Sequence, residues 1–359
     1  MGIRNYQLLL ISFEAAPFYS YKYEFTPQWG KREINHLNTH TQFFTLSVEN
    51  IMKYAVIGTG AIGGYYGGML AKHGMDVHFL LHSDYQHVNE QGLRIDSING
   101  NFNVDVDAYA KPEDMPLCDV AIVALKTTNN HLLEVLLPQV VKHTGIVVIL
   151  QNGLGVEQVA ADILPRASII GGLCFIGSTK IGPGHINHSD FGMVSLGHYM
   201  EDETAAGITP ELGLVTEDFL ACGIDVKPIE NLCFLRWQKL VWNVPFNGLS
   251  VVLNSGTAEL LRQHHTRELI KAIMLEVIAA ANTCGQPLSA SLAESMLVNT
   301  ETNMQDYSPS MKVDYAHNRP LEIHAIYQSM IDRAARSGAN MKRAKMLTQQ
   351  LRFLSRDEE

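Results

Sequence analysis

The chain has 359 residues, of which 46% are hydrophobic and 18% are charged, and its formal net charge is −10. These values are typical of a globular protein with material for two domains. They argue against nucleic-acid binding, which requires clustered lysine and arginine. The five cysteines are scattered without CxxC spacing, and no apolar run is long enough to span a membrane. We therefore expect a cytoplasmic protein with reduced thiols and no membrane partner.

Residues 1–51 differ from the remainder of the chain. They carry no clear signal peptide and none of the periodic patterns that follow. Met52 stands directly before the first predicted strand. We expect residues 1–51 to be a non-core extension that is either disordered or precedes a true start at Met52.

The first predicted elements are a strand over Lys53–Ile57, a glycine loop, a helix to His73 and a second strand over Asp76–Leu81. This is the context in which a GxGxxG motif indicates dinucleotide binding, with the pyrophosphate at the helix N-terminus. The alternative is a glycine turn that binds nothing. The predicted cofactor-binding residues of the loop are Gly58, Thr59, Gly60, Ala61, Ile62 and Gly63.

The second strand ends at His82, near the position where NAD enzymes place a carboxylate for the ribose hydroxyls. A neutral or positive group tolerates a 2′-phosphate, so His82 favours NADPH as the cofactor. Asp84, two residues later, argues in the opposite direction. His82 is otherwise an exposed loop residue.

Two further strands are predicted over Asp119–Leu125 and Ile146–Leu150, followed by Lys126 and by Asn152 respectively. Ligands of open α/β sheets bind beyond the carboxyl ends of the strands, which places both side chains beside a nicotinamide or a substrate. Asn152 precedes a glycine, so an ordinary turn residue is an equal alternative.

The remaining elements change from strands to helices. Short strands are predicted over Leu173–Ser178, His185–His188 and Met193–Leu196, then a helix over Glu211–Cys222 and a last strand over Ile224–Lys227. Helices are predicted over Phe234–Leu249, Thr257–Cys284, Ala290–Val298, Pro309–Ala316, Pro320–Ser337 and Met341–Ser355.

The first of these helices carries a polar stripe, because Lys239, Asn243 and Asn247 recur every fourth residue among apolar side chains. Buried polar groups are costly without partners, and a substrate would be such a partner. A solvated helix face is the alternative. Pro245 removes one hydrogen bond and is expected to bend the helix.

Three polar residues follow in the helical half. Ser310 and Asp314 are one turn apart, and Glu322 opens the next predicted helix. Taken alone, these are ordinary helix-capping residues, since an acidic group suits a helix N-terminus.

Taken together, these motifs resemble the ketopantoate reductase (2-dehydropantoate 2-reductase) family. The resemblance covers about Lys53–Ser355 and rests on GTGAIG, LK, QNGLG, WQKLVWNVPFN, SMKVD and RPLEI. It implies an α/β Rossmann-type domain over residues 52–229 and an all-helical, 6-phosphogluconate-dehydrogenase-like domain over 230–359. His82 and His324 depart from the arginine and the acidic residue that relatives often carry.

The resemblance also implies roles for matching positions. Lys239 would be the general acid and Glu322 the second catalytic residue, with Asp314 in support. Asn152, Asn243, Asn247 and Ser310 would bind the substrate. Lys126 would lie near the nicotinamide, and His82, Asn152 and Glu322 would also contact the cofactor.

The implied activity is the NADPH-dependent reduction of 2-dehydropantoate to pantoate, a step towards pantothenate and coenzyme A, by a monomer or a homodimer and without a metal. One alternative is a reductase of another small 2-keto acid. Another is a non-catalytic protein that senses NADPH. Enzymes of phosphorylated substrates would require more cationic groups than the helical half offers.

Overall fold

The computed structural model describes residues 52–304 and 307–355. The predicted extension over residues 1–51 lies outside the described residues. The last strand ends at Ile229 and the next helix begins at Leu232. The domain boundary expected between residues 229 and 230 lies between these two elements and stays a prediction.

The strands of the described residues are β1 (Lys53–Ile57), β2 (Asp76–Leu80), β3 (Leu93–Ser97), β4 (Phe102–Val104), β5 (Asp107–Tyr109), β6 (Cys118–Val123), β7 (Val141–Ile149), β8 (Ser168–Gly182), β9 (His185–His198) and β10 (Val226–Ile229). The helices that accompany them are α1 (Ala61–Lys72), α2 (Tyr85–Gln91), α3 (Leu133–Val140), α4 (Val156–Ile163) and α5 (Pro210–Ala221). The helical half contains α6 (Leu232–Val252), α7 (Thr257–Arg262), α8 (His264–Thr283), α9 (Ser291–Asn303), α10 (Ser310–Ala316), a π-helix (His324–Gln328), α11 (Ser329–Arg336) and α12 (Lys342–Ser355).

The strands form a single sheet in the order β4-β3-β9-β8-β7-β6-β1-β2-β5, with β10 paired to β9. β1 pairs in parallel with β2 on one side and with β6 on the other. The chain therefore adds β2 on one side of β1 and later returns to add β6 on the other side. Such a switch point opens a crevice at the carboxyl ends of the two central strands, where α/β sheets bind their ligands.

Two apolar layers cover the sheet. Tyr66 of α1 and Phe219 of α5 belong to the core on one face, and Leu137 of α3 and Ala160 of α4 belong to the core on the other. Strand segments that are covered on both faces read as continuous apolar runs, as residues 120–123 of β6 and 146–149 of β7 do. Helix α1 approaches the sheet closely because Gly67 offers no side chain at the contact.

The helical half has its own core around α6, which packs on α8, α10 and α12. Trp237 of α6 is fully buried there. Pro245 lies inside α6, which nevertheless continues unbroken to Val252. None of the helices in the described ranges combines the length and the apolar run that a membrane crossing requires.

The fold class predicted from the sequence is confirmed, while several element boundaries were wrong. The short strands expected between residues 168 and 197 are two long paired strands, β8 and β9. Glycines lie inside these strands, and neighbouring side chains occupy the space that a side chain at those positions would take. A Cβ atom on Gly172 would lie 2.4 Å from Cδ2 of Leu150.

The helix predicted over Thr257–Cys284 is divided at Gln263, whose backbone is extended. The Thr266 hydroxyl donates to the carbonyls of Leu260 and Gln263 and so competes with the helical pattern. The helix expected to start at Pro320 contains a π-helical turn that begins at His324. Glu322 therefore precedes the π-helix instead of occupying the first turn of a regular helix.

Two helical glycines provide a matched test of how α1 packs. A Cβ atom on Gly67 would lie 2.8 Å from both Cε1 of Phe79 and Cγ2 of Val56, whereas one on Gly213 of α5 meets nothing within 4 Å. We expect Gly67→Ala to lower the free energy of unfolding by about 1–2 kcal/mol because overpacking exceeds the gain in helix propensity. Gly213→Ala should raise it by about 0.5–1 kcal/mol.

Urea denaturation of both variants measures this difference. Equal and positive effects of the two substitutions would show that the contact between α1 and the sheet has room for a methyl group.

Candidate active site

The glycine loop after β1 lies directly against the loop after β6. A Cβ atom on Gly58, whose φ is +96°, would lie 2.3 Å from the backbone nitrogen of Leu125, and one on Gly63 would lie 2.3 Å from the carbonyl oxygen of Gly58. A Cβ atom on Gly60 would meet nothing within 4 Å, so the backbone there is open to a ligand. The first turn of α1 carries no acidic residue. The loop and this N-terminus therefore suit the pyrophosphate of a dinucleotide.

The two polar residues after β2 have different surroundings. His82 is exposed. Asp84 is buried, and its Oδ2 accepts a hydrogen bond of 2.9 Å from the backbone N–H of Gly184, in the turn between β8 and β9. The Asp84 carboxylate, which argued against NADPH in the sequence, is thus bound to the turn between β8 and β9.

Helix α6 places Lys239 against β8. The Lys239 Nζ donates to the carbonyl oxygen of Cys174 at 2.9 Å. Burial lowers the pKa of Lys239 to about 8, and the neighbouring Arg236 guanidinium also acts to lower it. An ammonium group with such a pKa can give up a proton near neutral pH, as a general acid must.

A second lysine connects the sheet to the helical half through carboxylates. Lys126 Nζ donates to Oδ2 of Asp314 and lies 3.5 Å from Oε2 of Glu322. Glu322 Oε1 in turn accepts hydrogen bonds of 3.0 Å from both the backbone N–H and the hydroxyl of Thr127. The loop after β6 is thereby fixed to Asp314 of α10 and to Glu322, which precedes the π-helix. Arg319 Nη1 also lies 3.5 Å from Oδ1 of Asp314.

The two lysines have opposite electrostatic environments. Burial acts to lower the pKa of Lys126, but the carboxylates of Glu322 and Asp314 outweigh it and the pKa is raised. Lys126 consequently remains charged, whereas Lys239 is able to titrate. An acid–base role requires a pKa near the working pH, and of these two lysines only Lys239 has one.

The QNGLG loop after β7 touches the helical half through backbone atoms. Gly153 has a φ of +108°, and a Cβ atom there would lie 2.5 Å from the carbonyl oxygen of Ala325. The same oxygen accepts a hydrogen bond of 3.0 Å from the N–H of Leu154. Ala325 belongs to the π-helix, an element that often occurs at functional sites. Asn152 is partly buried beside this contact.

A buried ion pair fixes α6 to the same loop. Arg236 and Glu157 each expose only 3% of their side chains. Arg236 Nε donates to Oε1 of Glu157 at 2.8 Å, and Arg236 Nη1 donates to the carbonyl oxygen of Gln151 at 2.6 Å. A Cβ atom on Gly171 would lie 2.3 Å from that same Oε1. Arg236 precedes Lys239 by one helical turn, so this network sets where the lysine lies.

The polar stripe of α6 faces inward, so the alternative of a solvated helix face is wrong. Asn243 is 7% exposed and Asn247 is 2% exposed. The Oδ1 atom of Asn247 has no hydrogen-bond partner among the described residues. A buried amide oxygen without a partner costs about 1–3 kcal/mol, and a ligand hydroxyl would remove that cost.

Ser310 is exposed and is the first residue of α10, which packs on α6. It precedes Asp314 by four residues and so shares its helix face. The structure thus brings Lys126, Asp314 and Glu322 into direct contact. Ser310 and Asn152 are each placed next to a member of the site, and the roles proposed for both stay predictions.

The sequence analysis missed several residues that hold this site together. Their partners are 65 to 195 positions away in the chain, so local pattern gave no signal for most of them. Arg236, a cation on an apolar helix one turn before Lys239, was the detectable exception. The missed residues are Thr127, Gln151, Glu157, Cys174 and Arg236.

One group of described side chains has metal-ligand geometry. Ligand atoms of Asp76, His78 and Asp107 lie within 4.8 Å of one another. They stand at the starts of β2 and β5, at the edge of the sheet opposite the crevice. Lys53 Nζ lies 3.7 Å from Asp76 and already contributes positive charge. This group is therefore separated from the crevice by the length of the strands.

The ion pair gives a direct test of what fixes α6. Arg236→Met would leave the Glu157 carboxylate buried without its partner and should lower the free energy of unfolding by about 3–5 kcal/mol. The double variant Arg236→Met/Glu157→Leu removes both charges and should recover most of that loss. Denaturant unfolding of the single and double variants provides the measurement.

Lys271→Met is the control, since Lys271 pairs with Glu294 at 2.7 Å on the surface and should change the unfolding transition little. A double variant as unstable as the single one would contradict the assignment of the loss to an unpaired charge.

Comparison with known proteins gives two family matches that together cover both halves of the chain. Residues 54–201 match the model described as ketopantoate reductase PanE/ApbA, and residues 232–355 match ketopantoate reductase PanE/ApbA C terminal. A 2-dehydropantoate 2-reductase of Nostoc sp. is 49% identical over 306 residues, which are 85% of this chain and 96% of that protein.

Solved structures agree. The crystal structure of 2-dehydropantoate 2-reductase from Geobacter metallireducens has a TM-score of 0.80 at 37% identity, covering 84% of this chain and 99% of that one. A ternary structure of D-mandelate dehydrogenase with NADH and anilino(oxo)acetate has a TM-score of 0.77 at 20% identity, covering 85% and 98%, which shows a shared fold alone. The resemblance inferred from the motifs is confirmed, and the chain belongs to the ketopantoate reductase family.

Proposed function

We propose that this protein reduces 2-dehydropantoate to pantoate with NADPH, a step that supplies pantothenate and coenzyme A. The observation that carries the proposal is the titratable Lys239 on the wall of the crevice at the sheet's switch point. The reaction itself is the one named for the Nostoc relative. We expect the enzyme in the cytoplasm, as a monomer or a homodimer.

The residues of the crevice fit the nicotinamide cofactor. The open backbone at Gly60 and the N-terminus of α1 would receive its pyrophosphate. Lys126, Asn152 and Glu322 would line its nicotinamide end, since Lys126 and Asn152 follow the carboxyl ends of β6 and β7. Bound NADPH supplies a hydride.

Lys239 completes the chemistry at the ketone. As the carbonyl carbon gains a hydride, its oxygen acquires negative charge, which the Lys239 ammonium stabilises and then neutralises with a proton. The hydrogen bond to Cys174 O leaves two N–H groups of the ammonium for the substrate. Neutral Lys239 regains its proton from solvent after the alcohol leaves.

The stripe of α6 supplies the groups that a hydroxylated keto acid requires. The amides of Asn243 and Asn247 can donate to a carboxylate and accept from a hydroxyl. The partnerless Oδ1 of Asn247 suits a substrate hydroxyl. Ser310 adds a hydroxyl from α10. Glu322 keeps Lys126 and Thr127 in place and so shapes the same end of the crevice.

Replacement of the proposed acid tests this function. Lys239→Met should lower kcat for 2-dehydropantoate by about 10²–10⁴-fold, because the alkoxide loses its proton donor. NADPH oxidation in the presence of 2-dehydropantoate measures it, with pyruvate and 2-ketoisovalerate as comparison substrates. Lys227→Met is the control, since Lys227 is a partly buried lysine of β10.

Rapid turnover that survives Lys239→Met would remove the assigned role of the lysine. NADPH binding without turnover of 2-dehydropantoate would refute the proposed substrate.

The pH profile provides an independent prediction. The acid must be protonated to act, and the pKa of Lys239 lies near 8. The value of kcat/KM for keto-acid reduction should therefore be level below pH about 8 and fall above it, approaching tenfold per pH unit. In Arg236→Met/Glu157→Leu the cation beside Lys239 is gone, so the fall should begin at higher pH.

A profile of the unaltered enzyme that stays flat or rises through this range would contradict the assignment of the proton to Lys239.

A further inference from the structure

The end of β2 is where a Rossmann domain receives the ribose of the adenosine. A carboxylate that faces this ribose binds its hydroxyls and repels a 2′-phosphate, whereas a cation favours the phosphate. The segment after β2 contains His82, Ser83 and Asp84. The surroundings of Asp84 therefore bear on which cofactor the crevice accepts.

Both carboxylate oxygens of Asp84 have partners in the protein. It is 6% exposed, its Oδ2 accepts from Lys180 Nζ at 2.5 Å and from the Gly184 N–H at 2.9 Å, and its Oδ1 accepts from the Ser83 hydroxyl at 3.0 Å. Burial acts to raise the pKa of Asp84, but these donors outweigh it and the pKa is lowered. The carboxylate thus remains ionised and attracts Lys180 instead of a ribose.

Lys180 is consequently held at the end of β2 by a strand that also passes the phosphate end of the crevice. Ser178, two residues earlier on β8 and on the same strand face, donates to the carbonyl oxygen of Ala61 at 3.1 Å in the first turn of α1. β8 therefore runs from the N-terminus of α1, where the pyrophosphate fits, to Asp84. This is the direction from the pyrophosphate to the adenosine ribose.

The Lys180 side chain is 33% exposed, whereas that of Asp84 is 8% exposed. One side of the ammonium is occupied by the buried carboxylate and another side faces solvent. With three donors, a lysine in this position can bind a second anion. His82, two residues before Asp84, is also exposed at the end of β2.

We propose that Lys180 binds the 2′-phosphate of NADPH and determines the preference for NADPH over NADH, with Asp84 as its positioning residue. The inference rests on the proposed use of NADPH. Lys180 supplies the positive charge that the family resemblance led us to seek at His82. The position of Asp84 in the sequence favoured NADH, but through its ion pair with Lys180 this residue supports a preference for NADPH.

Binding of NADPH and NADH in the absence of keto acid tests this role, followed by the fluorescence of the reduced nicotinamide. Lys180→Met should weaken NADPH binding roughly ten- to hundredfold, the value of a charge-assisted hydrogen bond, and should change NADH binding less than about twofold. Lys180→Arg keeps the charge and should keep most of the preference for NADPH.

Lys142→Met is the matched control. Lys142 Nζ lies 2.5 Å from Asp119 Oδ1, the same separation as in the Lys180 pair, but at the start of β6 and β7 on the opposite edge of the sheet. This variant should bind both cofactors as the unaltered protein does. If Lys180→Met does not fold, Lys180→Gln retains a polar side chain and is measured in the same way.

Equal weakening of NADPH and NADH, or no weakening of either, would overturn the proposal and leave Lys180 as a structural link of the hairpin. That outcome is separate from the proposed reaction, because the unaltered enzyme would still reduce 2-dehydropantoate in a manner that depends on Lys239.

Discussion

The buried ion pair between Arg236 and Glu157 is the constraint on which the rest of the site depends. Desolvating two charges is costly, and the pair is tolerated because Arg236 also donates to the carbonyl of Gln151. The result is a rigid junction between α6, α4 and the loop after β7. Lys239 lies one turn further along α6, so its position relative to the loop after β7 is set by the buried Arg236–Glu157 pair. The site is therefore precise although its residues come from distant parts of the chain.

The same crevice contains two lysines that differ in surroundings and so in task. Carboxylates surround Lys126 and keep it charged, while Lys239 meets a carbonyl, a thiol-bearing residue and a neighbouring guanidinium. Chemistry that forms an alkoxide and then protonates it requires a group that can lose its proton near the working pH. Asp314 and Glu322 make their direct ion pairs with Lys126, whereas Glu322 raises the pKa of Lys239 only through its charge and is outweighed there by burial.

The sequence was sufficient for features that are written locally. The GTGAIG loop, the polar residues at strand ends and the four-residue spacing of the α6 stripe could all be predicted from the sequence. The structure has the loop and Lys126 after the carboxyl ends of β1 and β6, and it buries Asn243 and Asn247. Features that depend on partners far away in the chain could not be predicted from the sequence. The register of β8 on β9 is formed between residues far apart in the chain, and the break at Gln263 is accompanied by hydrogen bonds from the Thr266 hydroxyl to the carbonyls of Leu260 and Gln263. Asp84 is the clearest case, because its position along the chain suggested a ribose ligand and only the hairpin reveals its actual partners.

The contact between Gly153 and Ala325 has a consequence for how this family can diversify. The two halves meet there through main-chain atoms, with a hydrogen bond from Leu154 to the Ala325 carbonyl. Side chains that would contact a keto acid, such as those of Asn243 and Ser310, take no part in that contact. Substitutions can therefore alter which keto acid is accepted without weakening the backbone contact between residues 153–154 and Ala325, provided that residue 153 stays glycine. The contact between the two halves and the choice of substrate can therefore change independently, and Gly153 is the position on which this independence depends.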